Sequence, residues 1–327
     1  MAFDKIRESQ PKVVQLLENS LKKDRLSHAY LFEGEKGTKK FETAMYFAQM
    51  LLCTSEENKP CLECKNCKRI KHGTHPNVYI IEPQKNLIKK QQINDLQTEF
   101  SKTSIEPGPK VYIIKDIDKI NASAANSLLK FLEEPFPGIH AILTTSNINR
   151  ILPTIISRSQ VVQFASLNPY IVEKEVVEAG YDNETARLLS HLTNSTSNAI
   201  DIVTSDYFLD VLSNVKDIYN LINTNDESLV IYFNQNSSII YQDKEISSLF
   251  LSTMIVYQKD LINYITGNTK NIVFKDEVNT ISGIVDHKNK NRLIDELESM
   301  LSLKSRLYSY INERLAYDNL LLELERR

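Results

Sequence analysis

Apolar positions follow two different rhythms along this chain of 327 residues. In the first half, short apolar runs alternate with longer amphipathic stretches. Ala-Tyr-Leu-Phe-Glu at 29–33, Val-Tyr-Ile-Ile at 78–81 and 111–114, Ala-Ile-Leu-Thr-Thr at 141–145 and Val-Val-Gln-Phe at 161–164 read as strands. Between them, helical periodicity predicts helices over 13–21, 41–52, 91–100 and 122–132. Strands that are apolar at successive positions and separated by helices imply a parallel sheet covered on both faces. Ligands of such sheets bind at the carboxyl ends of the strands.

The second half has few breakers. All ten prolines lie between Pro11 and Pro169, and only Gly180, Gly267 and Gly283 of the eight glycines come later. Val211, Val215, Ile218, Leu221 and Ile222 fall on one helical face. Leu293, Leu297, Leu301 and Leu307 predict another helix, and Leu315, Leu320, Leu321 and Leu324 a last one. An all-helical C-terminal half is expected.

Composition adds exclusions. Hydrophobic residues are 42% and charged residues 25%, the mix of a globular protein. The net charge of −3 disfavours gripping nucleic acid by bulk positive charge. The charged start of the chain has no apolar signal core, and no run of about 18 apolar residues exists to span a membrane. A cytoplasmic location is expected.

The turn after the first strand, Gly-Glu-Lys-Gly-Thr-Lys-Lys-Phe at 34–41, has the place of a phosphate loop. Such loops need Gly-x4-Gly-Lys-Ser/Thr: glycines let amides wrap phosphate, lysine reaches the outer phosphates, and the hydroxyl binds magnesium. Gly34, Gly37 and Lys40 are present, but Lys39 replaces the last glycine and Phe41 the hydroxyl residue. Without further signals, a basic turn with no nucleotide role is the competing reading. A second departure follows the strand at 111–114. Nucleotide hydrolysis there calls for an adjacent acidic pair, yet the residues are Lys115, Asp116, Ile117 and Asp118. If the pair falls at 115 and 116, its metal-binding acid is a lysine; at 116 and 117, its catalytic acid is an isoleucine. Two independent lesions in one site point to a lost activity.

Four cysteines, all within 53–67, form Cys53-x7-Cys61-x2-Cys64-x2-Cys67. Crowded thiols in a reducing compartment read as a tetrahedral metal site. Zinc in a structural role is expected, with an iron–sulfur cluster as its rival. His72 and His75 lie nearby and are expected to be structural or exposed. Lys59, Lys65, Lys68, Arg69 and Lys71 surround the cluster, which fits a solvated rim or a nucleic-acid surface.

Longer motifs carry a family resemblance. Asn-Ser-Leu-Leu-Lys-Phe-Leu-Glu-Glu-Pro at 126–135 resembles a helix and turn of clamp-loader ATPases of the AAA+ class. Thr-Ile-Ile-Ser-Arg-Ser at 154–159 resembles their Ser-Arg-Cys motif, with Ser159 in the cysteine's place. Arg-Leu-Ser-His-Ala-Tyr-Leu-Phe at 25–32 and the stretch at 312–322 resemble the delta-prime subunits of bacterial DNA polymerase III clamp loaders.

The resemblance implies a nucleotide-binding-like AAA+ domain over 1–165 with a zinc module at 53–67, a helical lid over 166–207 and a helical collar over 208–327. It implies a hetero-pentameric ring with three tau/gamma motor subunits and one delta subunit, which places the sliding clamp on primed DNA within the DNA polymerase III holoenzyme. Delta-prime members of such rings do not normally hydrolyse ATP, so no functional ATP site is expected. The stretch comparable to the motors' arginine-bearing lid motif, at 194–199, has no arginine. Taken alone, Arg158 reads as a surface ion-pairing residue. With Ser157 beside it, the resemblance implies an arginine finger for the neighbouring motor's ATP. Two other readings compete: an active clamp-loader ATPase motor, and a free-standing zinc-dependent nucleic-acid binder whose affinity would be salt-sensitive.

Overall fold

The computed structural model describes residues 2–56, 59–101, 106–134, 136–307 and 312–325. Pro135, the end of the motif at 126–135, lies outside them. The chain divides into two compact units, Met1–Asn168 and Pro169–Arg327.

The first unit begins with helices α1 (Ala2–Ser9) and α2 (Pro11–Lys22). There follow β1 (Ala29–Glu33), α3 (Lys40–Leu52), α4 (Lys65–Lys71), β2 (Val78–Ile81), α5 (Lys90–Ser101), β3 (Lys110–Ile114), α6 (Ala122–Glu133), β4 (Ile139–Thr145), α7 (Pro153–Ile156) and β5 (Gln160–Gln163). The strands make one sheet in the order β2-β3-β4-β1-β5, and every pairing is parallel. The expected strands are met within one or two residues.

Alternation along the strands explains the two-sided cover. Ala29, Leu31, Tyr112, Ile114, Ala141 and Leu143 pack with α5 and α6 in one core. Their neighbours Tyr30, Phe32, Val111, Ile113 and Ile142 pack with α2 and α3 in another. The central strands β1, β3 and β4 therefore bury both faces, which is why their apolar runs are continuous, whereas the edge strand β5 buries only Val162. Tyr30 and Phe47 meet edge to face at 5.1 Å on one side, and Tyr112 and Phe131 at 5.0 Å on the other.

The second unit is helical throughout its described residues. It contains α8 (Pro169–Glu178), α9 (Asn183–Leu192), α10 (Thr196–Val203), α11 (Phe208–Thr224), α12 (Leu229–Asn236), α13 (Lys244–Ile265), α14 (Val278–His287), α15 (Lys290–Arg306) and α16 (Glu313–Glu325). Caps set several starts: Asp182 accepts from the amides of Glu184 and Thr185, and Ser195 from that of Asn198. The stretch at 194–199 is thus the capped entry to α10. The expected lid–collar boundary at 207/208 falls immediately before α11. The long α13 runs through the unit's core, where Tyr257 stacks on Tyr219 of α11 at 4.0 Å. Among the described residues, no helix is long and apolar enough to cross a membrane.

Candidate functional site

The loop between β1 and α3 sits at the carboxyl end of the central strands. Gly34 has no room for a side chain there: a Cβ would lie 2.7 Å from the Phe164 carbonyl oxygen and 2.9 Å from the Phe164 Cβ. Gly37 turns the chain with φ +82°, a conformation open to glycine. Lys39 enters α3 in the left-handed region, φ +62°.

Lys40 is buried, 7% exposed, and turns back into its own loop. Its Nζ donates to the carbonyl oxygens of Gly34 at 2.6 Å and Glu35 at 2.5 Å, and to Thr38 Oγ1 at 3.3 Å. Burial lowers its pKa, while Asp116, Asp118, Glu42 and Glu33 act to raise it. The lysine that would reach for a phosphate satisfies the cradle's carbonyls instead.

The two departures from the phosphate-loop pattern, Phe41 and Lys115, touch each other. Lys115 Nζ lies 5.1 Å from the centroid of the Phe41 ring, a cation–π contact. It also pairs with Glu82 at 3.3 Å. Lys115, not Asp116, is therefore the residue after β3 that faces the second position of α3. Asp116 adopts φ +50°; its amide donates to Thr144 Oγ1 at 3.1 Å and its carboxylate pairs with Lys119 at 3.1 Å. Asp118 accepts from Thr145 Oγ1 at 2.9 Å and from the Ser146 amide at 3.3 Å. The contacts of Asp116 with Thr144 and of Asp118 with Thr145 and Ser146 link the ends of β3 and β4 and were not visible from motif spacing.

Arg158 follows the single turn of α7. Its Nη1 donates to the Thr154 carbonyl at 3.1 Å, and its Nη2 meets Glu133 Oε1 at 2.9 Å. Ser157 is exposed and donates to the Thr154 carbonyl at 3.2 Å. Glu133, inside the quoted motif at 126–135, received no role from the sequence. Its pairing with Arg158 joins α6 to α7, a contact that needs the fold.

The four cysteine sulfurs lie within 4.8 Å of one another. Cys53 caps the end of α3 and Cys64 the start of α4, so one ion would tie the two helices together. Three of the sulfurs already accept backbone amides: Cys53 from Cys61 and Cys61 from Cys64, both at 3.3 Å, and Cys64 from Cys67 at 3.4 Å. Burial raises the Cys64 thiol, but amide hydrogen bonds from Cys67 and Thr54 outweigh it and bring the pKa down to about 6. Burial pushes Cys67 and Cys53 up. Four converging sulfurs with amide support fit a closed thiolate site for one metal ion.

His75 stands apart from the sulfurs. It is buried, accepts from the Asn77 amide at 3.1 Å and lies 3.8 Å from Glu106. Burial lowers its pKa. Arg69 pairs with the same Glu106 at 2.7 Å, whereas Lys59, Lys65, Lys68, Lys71 and His72 are exposed.

The family model described as DNA polymerase III, delta subunit matches residues 9–168. The DNA polymerase III subunit delta' of Bacillus subtilis is 35% identical over 325 residues, covering 99% of both chains. The tau subunit of the same organism is 28% identical over 79% of this chain and 49% of its own length. Among solved structures, a gamma-subunit-related protein of DNA polymerase III from Thermotoga maritima aligns over 94% of this chain and 98% of its own, with a TM-score of 0.44 and 17% identity.

Proposed function

The chain belongs to the DNA polymerase III delta' family, and from that membership we propose that it is a non-hydrolysing member of a clamp-loader ring that lends Arg158 to a neighbour's ATP site. Within that reading its partners are tau/gamma motor subunits and a delta subunit in a hetero-pentamer, and the complex places the sliding clamp on primed DNA. The work is done in the cytoplasm. Residues 166–207 act as the lid and 208–327 as the collar that joins the ring.

One observation carries the non-hydrolysing half: the Lys115 ammonium rests on the Phe41 ring. A chain that binds MgATP needs an acid and a hydroxyl at those two places to hold the ion. Here those positions carry a lysine ammonium and an aromatic face. Lys40, folded onto Gly34 and Glu35, supports the same conclusion.

The donating half rests on Arg158, which is 36% exposed at the end of α7. A planar guanidinium brought to a transferring phosphate stabilises charge that develops there. An arginine supplied in trans raises rates about 10³–10⁵-fold in well-studied GTPases. Cys53, Cys61, Cys64 and Cys67 hold zinc and brace the first unit without taking part in chemistry. The first test is reconstitution of the complex with Arg158→Ala. ATP turnover and clamp loading should fall sharply while assembly persists; unchanged turnover would falsify the donated-arginine reading. If the isolated chain instead hydrolysed ATP, the motor reading would stand.

A further inference from the structure

Two separate elements hold the Arg158 guanidinium. Thr154, at the start of α7, supplies its carbonyl oxygen to Nη1 at 3.1 Å. Glu133, the last residue of α6, supplies one carboxylate oxygen to Nη2 at 2.9 Å. Both partners of the ion pair remain open to solvent, at 36% exposure for Arg158 and 47% for Glu133. A guanidinium has five N–H donors, so these two contacts leave capacity for phosphate oxygens.

We infer that Glu133 is a positioning residue for Arg158, and that it sets the place of the guanidinium before a neighbour's nucleotide is met. The inference rests on the reading of Arg158 as a donated arginine. A long side chain loses rotamer freedom when it is fixed in a transition state. An ion pair on the subunit's own surface imposes part of that restriction in advance. The pair is solvent-exposed and made through a single carboxylate oxygen, so it is weak enough to adjust when phosphate arrives. A bidentate buried carboxylate would have withheld the arginine; this one leaves it usable.

The experiment reconstitutes the full complex with wild-type chain, Glu133→Ala, Glu133→Gln, Glu133→Asp, Arg158→Ala and the double variant Glu133→Ala/Arg158→Ala. Steady-state ATP turnover is read with clamp and primed DNA present. Glu133→Ala and Glu133→Gln should each lower kcat by about two- to fivefold, the range to which a surface ion pair's contribution converts. The KM for ATP should stay unchanged, because the arginine acts on the transferring phosphate and not on ground-state binding. Glu133→Asp should recover part of the loss by restoring the charge. In the Arg158→Ala background, Glu133→Ala should have no further effect. Wild-type kcat in both Glu133→Ala and Glu133→Gln, with Arg158→Ala impaired, overturns the role of Glu133 and leaves the donated arginine standing. Equal losses from Glu133→Ala with and without Arg158 also overturn it. Wild-type turnover in Arg158→Ala overturns the reading beneath it. Thermal melting of the isolated variants, expected to match wild type, separates these outcomes from misfolding.

Discussion

A methyl group at Gly34 would meet a carbonyl oxygen at 2.7 Å and a backbone-anchored Cβ at 2.9 Å, both from Phe164. Neither neighbour is the loose end of a flexible side chain, so Gly34→Ala is expected to destabilise the first unit by about 1–3 kcal/mol, read as a lower denaturant midpoint. Gly34 was legible in the sequence as a phosphate-loop glycine; its steric reason was not, because Phe164 arrives from the far end of the unit. Phe41 and Lys115 were likewise legible as departures from a motif, yet their contact joins residues remote in sequence and needed the sheet to bring them together. Asp260 was not legible at all. It is 1% exposed, and one oxygen takes the amides of Val273 and Phe274 at 2.9 and 2.8 Å. Burial raises its pKa from 3.8 to about 6 despite those amides. The native state therefore keeps a proton that the unfolded chain releases near pH 3.8, so this group's contribution falls as pH rises through that window and is lost in full above about 6. The shift corresponds to a penalty on the order of 3 kcal/mol. In melting experiments from pH 4 to 7, wild type should lose stability relative to Asp260→Asn as pH rises. A constant difference would show that Asp260 does not titrate in that range.

At the scale of elements, the strands were easy to read because each is a short apolar run bounded by turns, and the central three are buried on both faces. Helices α11, α15 and α16 were legible from their spaced leucines, isoleucines and valines, although Leu301 and Leu315 of the expected faces are exposed and Leu307 lies just beyond α15. The 22-residue α13 was not, because its apolar and small polar positions are buried nearly all round, from Ile246 to Leu261. The junction of α3 and α4 depends on the thiols. Each helix end there has a cysteine in its cap, and α4 is only seven residues long. A helix that short has little stability alone. Removing the metal with a strong chelator should lower the melting temperature of the first unit and leave the helical unit's transition in place. Absorbance of aerobically purified protein distinguishes the metals: a colourless sample favours zinc, and a brown one an iron–sulfur cluster. An unchanged melting profile after chelation would count against a structural ion.

For the molecule as a whole, the last proline marked the division between units. Pro169 opens α8, and the compact units meet in sequence between Asn168 and Pro169. The division of 169–327 into lid and collar came from the family resemblance alone, since one uninterrupted series of helices gives no composition break. The family was legible in motifs spread over the chain, and a relative matching 99% of it agrees. Titration of the isolated chain with ATP and magnesium should show no hydrolysis and no magnesium-dependent gain in affinity. Measurable turnover would contradict the part assigned to Lys115.

On the proposed non-hydrolysing reading, that lysine has a consequence for how such a subunit meets the cell. A bound magnesium ion comes and goes with supply, and a nucleotide with metabolic demand. An ammonium carried by the end of β3, 5.1 Å from the Phe41 ring, belongs to the chain itself and does not exchange with either pool.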